Sequence, residues 1–173
     1  FYVWGYANVP TPDSEGDLVE RDAIEEALPG LLVKPYNKFF INHDYSDIAI
    51  GKILKTAMDE KGPLILGVIN EDRKSCDEFM NSIQEGYLDS FSIGCSFIDG
   101  VSEWSETYQR YIYKVKKLVL REVSLTSIPV HPDASIMGAF SKAKKYHKKT
   151  LEETKMSEEE KTNVTPDAGE DAN

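Results

Sequence analysis

The chain has 173 residues, of which 40% are apolar and 29% charged, and its formal net charge is −10 at pH 7. This length suits one domain followed by a tail, and a domain of this size buries a substantial core. The acidic balance argues against nucleic acid as a partner, because phosphate binding requires a basic surface. No stretch approaches the roughly 18 consecutive apolar residues of a membrane span, so we expect no membrane partner either.

The first half of the chain predicts strands with one short helix between them. Residues 1–9 are rich in aromatic and β-branched residues, which is typical of a strand, and residues 10–17 have the composition of a turn. A helix follows, with Asp22 as its cap, and Pro29 ends it. Residues 38–44 and 47–56 predict two further strands, and the short link between them indicates that they pair locally.

The second half continues this pattern with one more helix. Residues 64–70 form an apolar run that predicts a central strand, and Ser75 begins a helix with Glu78 in the position of a capping box. Strands are then predicted over residues 86–98, 106–119 and 118–128.

The strand at residues 86–98 has an unusual alternation of side chains. One face carries Phe91, Ile93, Cys95 and Phe97, and the other carries Ser90, Ser92, Gly94 and Ser96. A face of small hydroxyl residues leaves room beside the backbone for a substrate and holds a hydroxyl on regular structure. We therefore predict that Ser92 is a nucleophile.

These elements predict an α+β fold. We expect a mostly antiparallel, barrel-like sheet of six to seven strands with two or more flanking helices, because every connection is short or holds one helix. Residues 1–140 are expected to form this domain. Residues 141–173 carry a lysine-rich segment and then many carboxylates with few apolar residues, which predicts a charged extension that is helical or disordered.

A serine nucleophile needs a base, and the base needs a group that orients it. Of the three histidines, His147 lies in the charged extension and His131 in a loop between two prolines, which leaves His43 as the first candidate. Glu122 is the preferred third member because it interrupts an apolar strand, where a carboxylate is costly to bury unless it is paired. A salt bridge of Glu122 to a neighbouring lysine or arginine is the structural alternative.

Other chemistries fit the sequence less well. A metal hydrolase using His43, Asp44 and Glu122 would lack any paired histidine spacing, so we expect no metal and no cofactor. The two cysteines, Cys76 and Cys95, fall at apolar positions and do not form a disulfide framework, which favours an intracellular location.

Four stretches resemble the prohead (capsid maturation) serine proteases of tailed bacteriophages, whose fold is similar to herpesvirus assemblin. In chain order they are VWGYANVPTPDSEGDLV, NHDYSDIAIGKI, IQEGYLDSFSIGCSF and LREVSLTSIPVHPDASI. The resemblance places the catalytic histidine at His43, the serine at Ser92 and the third member at Glu122, with His131 as the alternative third member. The paired arginines that serve the oxyanion in assemblins have no counterpart, which leaves Arg121 or backbone N–H groups near Ser92 as candidates.

The resemblance implies an endopeptidase that cleaves capsid and scaffold precursors, and also itself, inside the immature viral capsid in the host cytoplasm. It also implies a homodimer. The competing interpretations are a capsid-assembly or scaffold-associated protein that keeps the fold without activity, and a strand-rich binding domain.

Overall fold

The structure is a computed structural model, and it describes residues 1–72 and 74–140. The predicted extension at residues 141–173 lies outside the described residues. The elements, in chain order, are β1 (Tyr2–Tyr6), β2 (Asp17–Val19), α1 (Arg21–Ala27), a 3-10 helix (Leu28–Leu32), β3 (Lys38–Ile41), β4 (Gly51–Met58), β5 (Pro63–Ile69), α2 (Cys76–Gln84), β6 (Ser90–Ser105), β7 (Arg110–Thr126) and β8 (Ser135–Phe140).

All of these strands join one mixed sheet in the described part of the chain. The main path runs β2-β7-β3-β4-β5-β1-β8, and β6 pairs with β7 beside that path. Strand β7 is antiparallel to β6 along most of its length, whereas it is parallel to β2 and to β3. Strand β7 is therefore the element on which the three separate segments converge.

The α+β class is confirmed, but the sheet has eight strands rather than six or seven in the described part of the chain, and it is not closed, so the predicted barrel is wrong. The parallel pairings of β7 were not foreseen. They could not be predicted from local pattern, because β2 and β3 lie far from β7 in sequence and connections between neighbouring strands carry no information on these pairings. The expected local pairing of β3 with β4 is present and antiparallel.

Several boundaries differ from the predicted ones. The two strands predicted over 106–119 and 118–128 are the single strand β7, because no turn residue separates them. Strand β6 continues to Ser105, well past the predicted end. The short strands β2 and β8 were not predicted, since three or six residues carry little periodic signal.

A pair of buried phenylalanines joins the two halves of the core. Phe39 of β3 and Phe91 of β6 are fully buried, and their rings stack with centroids 5.5 Å apart. The ring of Phe39 also lies directly over Gly67 of β5, where a Cβ would come within 2.0 Å of it. The core therefore fixes the positions of β3, which leads to His43, and of β6, which carries Ser92.

Two smaller findings complete the description. Cys76 is buried and Cys95 is half-buried, and neither forms a disulfide. Neither helix in residues 1–72 and 74–140 has the length and apolar character needed to cross a bilayer.

We expect Gly67→Ala to lower the free energy of unfolding by about 1–3 kcal/mol, because the new methyl group would overpack the fully buried Phe39 ring. Urea unfolding of the purified variant measures this change. Gly30→Ala is the matched control, since a Cβ at Gly30 would have no heavy atom within 4 Å. Equal stabilities of the two variants would contradict this account of the core.

Candidate active site

The pairing of β6 with β7 places a serine and a carboxylate side by side. Ser92 lies opposite Ser124, and Gly94 lies opposite Glu122, so Ser92 and Glu122 are diagonal neighbours on adjacent strands. Both side chains are largely buried, with 7% of Ser92 and 2% of Glu122 exposed. The regular ladder therefore fixes two of the predicted site residues relative to each other.

His43 reaches this pair from the other side of β7 through a tight turn. It follows β3, and both Asn42 and His43 adopt left-handed backbone conformations, with φ of 49° and 56°. Asparagine and histidine tolerate this region better than most residues. The turn is held because the N–H of Asn42 donates to the carbonyl of Leu125 at 3.0 Å and the N–H of His43 donates to Ser124 Oγ at 3.1 Å.

The imidazole of His43 bridges the serine and the carboxylate. Its Nε2 lies 2.8 Å from Ser92 Oγ, and its Nδ1 lies 2.7 Å from Glu122 Oε1. Because an ionised carboxylate only accepts, Nδ1–H donates to Glu122 and the lone pair of Nε2 faces the Ser92 hydroxyl. The structure therefore brings the three predicted residues into one continuous contact chain.

The Glu122 carboxylate is surrounded by donors. Besides His43, the hydroxyl of Tyr45 donates to Oε1 at 3.2 Å, and the hydroxyl of Ser124 donates to Oε2 at 2.7 Å. A buried carboxylate is tolerated only when it is hydrogen-bonded in this way. These partners replace the salt bridge to a lysine or arginine that was the structural alternative for Glu122.

Tyr45 is a hydrogen-bond donor to this carboxylate and does not titrate near neutral pH. Although Tyr45 is 61% exposed, desolvation of its hydroxyl, and secondarily the neighbouring charge of Glu122, raise the pKa of Tyr45 to about 12. The phenol therefore stays protonated near neutral pH, and its O–H donates a hydrogen bond to Oε1. Its ring packs edge-on against Phe40 with centroids 5.2 Å apart, which holds the hydroxyl over the carboxylate.

Gly94 explains part of the small-residue face of β6. A Cβ at Gly94 would lie 2.0 Å from Glu122 Oε1 and 2.8 Å from the Tyr45 hydroxyl. The room beside this backbone is thus occupied by the acid and its tyrosine, not left open for a substrate as the sequence had suggested. A bulge between Gly94 and Cys95 then shifts the register, so the predicted alternation does not run unbroken along the strand.

His131, the alternative third member, has other partners. Its Nε2–H donates to the carbonyl of Thr11 at 3.1 Å, and its Nδ1 accepts the N–H of Asp133 at 3.2 Å. These contacts correspond to a neutral imidazole that is 5% exposed and joins two loops. Glu122, not His131, makes the contact with the ring of His43.

Arg121 points away from this centre. Its Nε donates to Ser96 Oγ at 3.3 Å, and its guanidinium stacks over the ring of Tyr36 at 5.0 Å. The sequence predicted that Arg121 and Glu122 face opposite ways, and they do. Arg121 therefore loses support as the stabiliser of an oxyanion.

Two members of the site were missed by sequence reasoning. Ser124 carried a usable signal, because it lies two residues after Glu122 and so shares its face of an apolar strand. Tyr45 carried none, because the turn at His43 that directs it toward Glu122 has no periodicity.

Two hollows flank Ser92 and His43. The larger, of about 340 Å³, is lined by the loop after β7, including Ile128 and Val130. The other, of about 130 Å³, lies toward the loop before β2, and Val130 borders it as well. Both hollows open onto the hydroxyl of Ser92. In the described part of the chain, no group of three or more histidine, cysteine, aspartate or glutamate residues is placed to hold a metal ion.

Comparison with known proteins finds a phage prohead protease among the relatives of this chain. The prohead protease of Escherichia phage T5 is 33% identical over 141 residues, which cover 80% of this chain and 63% of the T5 protein. This chain therefore spans less than two thirds of the length of that relative.

Solved structures show the same fold at low sequence identity. The capsid assembly protease of bacteriophage T4 matches with a TM-score of 0.55 at 13% identity, covering 74% of this chain and 82% of that one. KSHV protease, crystallised with a hexapeptide phosphonate inhibitor, matches with a TM-score of 0.50 at 17% identity, covering 90% of this chain and 76% of that one.

A family model also matches the chain. The sequence model of the caudovirus prohead serine proteases matches residues 2–153, which is most of the chain. On this match the chain belongs to the caudovirus prohead serine protease family.

Proposed function

We propose that this chain is a serine endopeptidase that cleaves capsid and scaffold precursor proteins inside an immature viral capsid. The observation that carries the proposal is the contact chain from Ser92 Oγ through the His43 ring to the Glu122 carboxylate, with successive distances of 2.8 and 2.7 Å. Family membership and the description of the T5 relative as a prohead protease support the substrate class.

The proposed reaction follows from the orientation of His43. Nε2 takes the proton of Ser92 Oγ as that oxygen attacks the peptide carbonyl, and it returns the proton to the leaving amine. A water molecule then attacks the acyl-enzyme by the same proton transfers in reverse. About one third of the His43 side chain is exposed, so the ring is accessible to substrate.

Glu122 is proposed to orient the imidazole and to stabilise its charged form. Its contact with Nδ1 fixes the tautomer in which Nε2 is free to act as a base. Tyr45 and Ser124 hold the carboxylate in place from the remaining directions. His131 is the weaker candidate for this role because both of its ring nitrogens are occupied by loop contacts.

The substrate is proposed to bind as an extended strand beside β6. Within the described sheet β6 pairs with β7 alone, so its other edge offers backbone donors and acceptors. A peptide lying along this edge passes the Ser92 hydroxyl. The homodimer implied by the resemblance and the cleavage of residues 141–173 by the enzyme itself are further parts of the proposal.

Ser92→Ala is expected to lower the rate of precursor cleavage by about 10⁴-fold or more, because it removes the nucleophile. Co-expression with the capsid precursor, followed by mass spectrometry of both proteins, measures cleavage of the substrate and of the chain itself. Ser96→Ala is the matched control, since Ser96 contacts Arg121 and lies outside the contact chain.

Unchanged precursor processing in Ser92→Ala would contradict the assignment of the nucleophile. An intact mass for the wild type equal to that of Ser92→Ala would contradict self-cleavage alone. A fluorophosphonate probe that labels the wild type and not Ser92→Ala supports an enzyme over a non-enzymatic capsid-assembly protein with the same fold.

Glu122→Gln is expected to lower kcat by about 10³- to 10⁴-fold with little change in KM, since the amide keeps the shape but loses the charge that stabilises the imidazolium. His131→Gln is expected to keep kcat within about 10-fold of the wild type, measured at a temperature where the variant is folded. If kcat fell more in His131→Gln than in Glu122→Gln, His131 rather than Glu122 would be the residue that orients His43.

Gly94→Ala is expected to lower kcat by about 100-fold, because the new methyl group would displace the Glu122 carboxylate from the His43 ring. Steady-state kinetics and thermal unfolding are measured together, so that a loss of rate is separated from a loss of fold. Gly30→Ala again serves as the control. A folded Gly94→Ala enzyme with the wild-type kcat would show that the carboxylate is not needed where it lies.

A further inference from the structure

The smaller hollow beside Ser92 is strongly acidic. Its volume is about 130 Å³, and its lining includes the carboxylates of Asp13, Glu15 and Asp17 but no lysine or arginine. Arg110 donates to the backbone carbonyl of Asp13 at 3.1 Å, and no ion pair joins it to any of the three carboxylates. The hollow therefore combines a nucleophile at one side with uncompensated negative charge at the other.

The wall that carries these carboxylates is held in place by contacts between loops. The N–H of Ser14 donates to the carbonyl of Val130 at 3.0 Å, and His131 joins the same two loops through Thr11. Asp13 is used within its own turn, because its Oδ1 accepts the N–H groups of Glu15 and Asp17, each at 2.9 Å. The site is thus a built feature of the fold.

Asp17 is the half-buried carboxylate of the three that has no hydrogen-bond partner. It lies at the start of β2, and although its backbone carbonyl accepts the N–H of Asp13, its carboxylate accepts no hydrogen bond and forms no ion pair with any described residue. Burial raises the pKa of Asp17, and the charges of Asp13 and Glu15 raise it further. A cation entering the hollow would offset the repulsion among these carboxylates and favour the ionised form of Asp17.

Asn8 provides a second, independent observation at the same place. It lines the hollow and is 6% exposed, and its side-chain amide makes no hydrogen bond to any residue in the described ranges. No fully buried side-chain N or O atom of the described residues lacks a hydrogen-bond partner, so the polar atoms of the Asn8 amide are accessible from the hollow, where a ligand or water can meet them. Asn8 and Asp17 both line the hollow, and an amide oxygen and a carboxylate are each acceptors for an ammonium group.

Apart from His43, Ser92 and His131, the rest of the lining is apolar. Cys95 lines the hollow together with these carboxylates, and burial, followed by the charges of Asp17 and Asp13, raises the pKa of its thiol to about 11, so the thiol is neutral. The aliphatic and aromatic lining residues are Ala7, Val19, Ile93, Phe97 and Val130. An apolar wall that ends at a carboxylate suits the hydrocarbon stem and charged head of a basic side chain.

We propose that this hollow is a specificity pocket that receives a lysine or arginine side chain of the substrate next to the cleaved bond, with Asp17 and Asn8 as its acceptors. The proposal rests on the proposed function, since it assigns a substrate class to the same Ser92. Asp17 sets which residue is positioned for attack and takes no part in the chemical step.

The first experiment determines the preference without assuming a sequence. The full chain is incubated with a chymotryptic peptide library from a whole proteome, and the new ends are identified by mass spectrometry. We expect lysine and arginine to be enriched at one position adjacent to the cleaved bond. Cleavage without such enrichment would overturn the pocket assignment while leaving the proposed function standing. No cleavage, combined with no fluorophosphonate labelling of Ser92, would overturn the proposed function and the pocket with it.

The second experiment assigns the preference to Asp17. The ratio of kcat/KM for a lysine peptide to kcat/KM for the same peptide with norleucine is expected to fall about 10- to 100-fold in Asp17→Asn, because the charged acceptor is lost. Asn8→Ala is expected to lower the same ratio by a smaller factor. Asp99→Asn is the matched control, since Asp99 is exposed and does not line the hollow. An unchanged ratio in Asp17→Asn would overturn the assignment.

A binding measurement removes any dependence on turnover. In the Ser92→Ala background, the lysine peptide is expected to bind more tightly than the norleucine peptide, and the added Asp17→Asn substitution is expected to abolish the difference. Fluorescence anisotropy with labelled peptides reports both affinities. Equal affinities in the Ser92→Ala background would contradict the proposal even if the peptidase activity is established.

Discussion

The structure depends on one buried carboxylate. Glu122 lies in the middle of an apolar strand with 2% of its surface exposed, where a charge is unfavourable unless several donors surround it. Three segments supply those donors: the turn at His43, the ring at Tyr45 and the strand position Ser124. Gly94 supplies the space. The geometry around Ser92 can therefore be understood as the arrangement that satisfies this carboxylate.

The sequence predicted the members of the contact chain better than the fold that joins them. Ser92 stood out because small residues alternate with apolar ones, and Glu122 stood out because it interrupts an apolar strand. The choice of His43 needed little more than elimination among three histidines, together with the family resemblance. These signals are local, and each comes from a residue type that a purely structural role would not require at that position.

The features that were not predicted are those that depend on distant partners. The parallel pairings of β7 with β2 and β3, and the open sheet, follow from contacts between segments far apart in the chain. The left-handed turn at Asn42 and His43 has no glycine to mark it. The acidic hollow was also missed, since Asn8 and Asp17 came from stretches interpreted as strand end and turn.

Val130 borders both hollows beside Ser92, and the segment around it is tied to the loop before β2 rather than to the contact chain. Substitutions at Val130 and its neighbours would reshape the two hollows on either side of Ser92 together. Under the proposed function, relatives with this fold could differ in the sequences they cut through changes in this short segment, while Ser92, His43 and Glu122 stay the same.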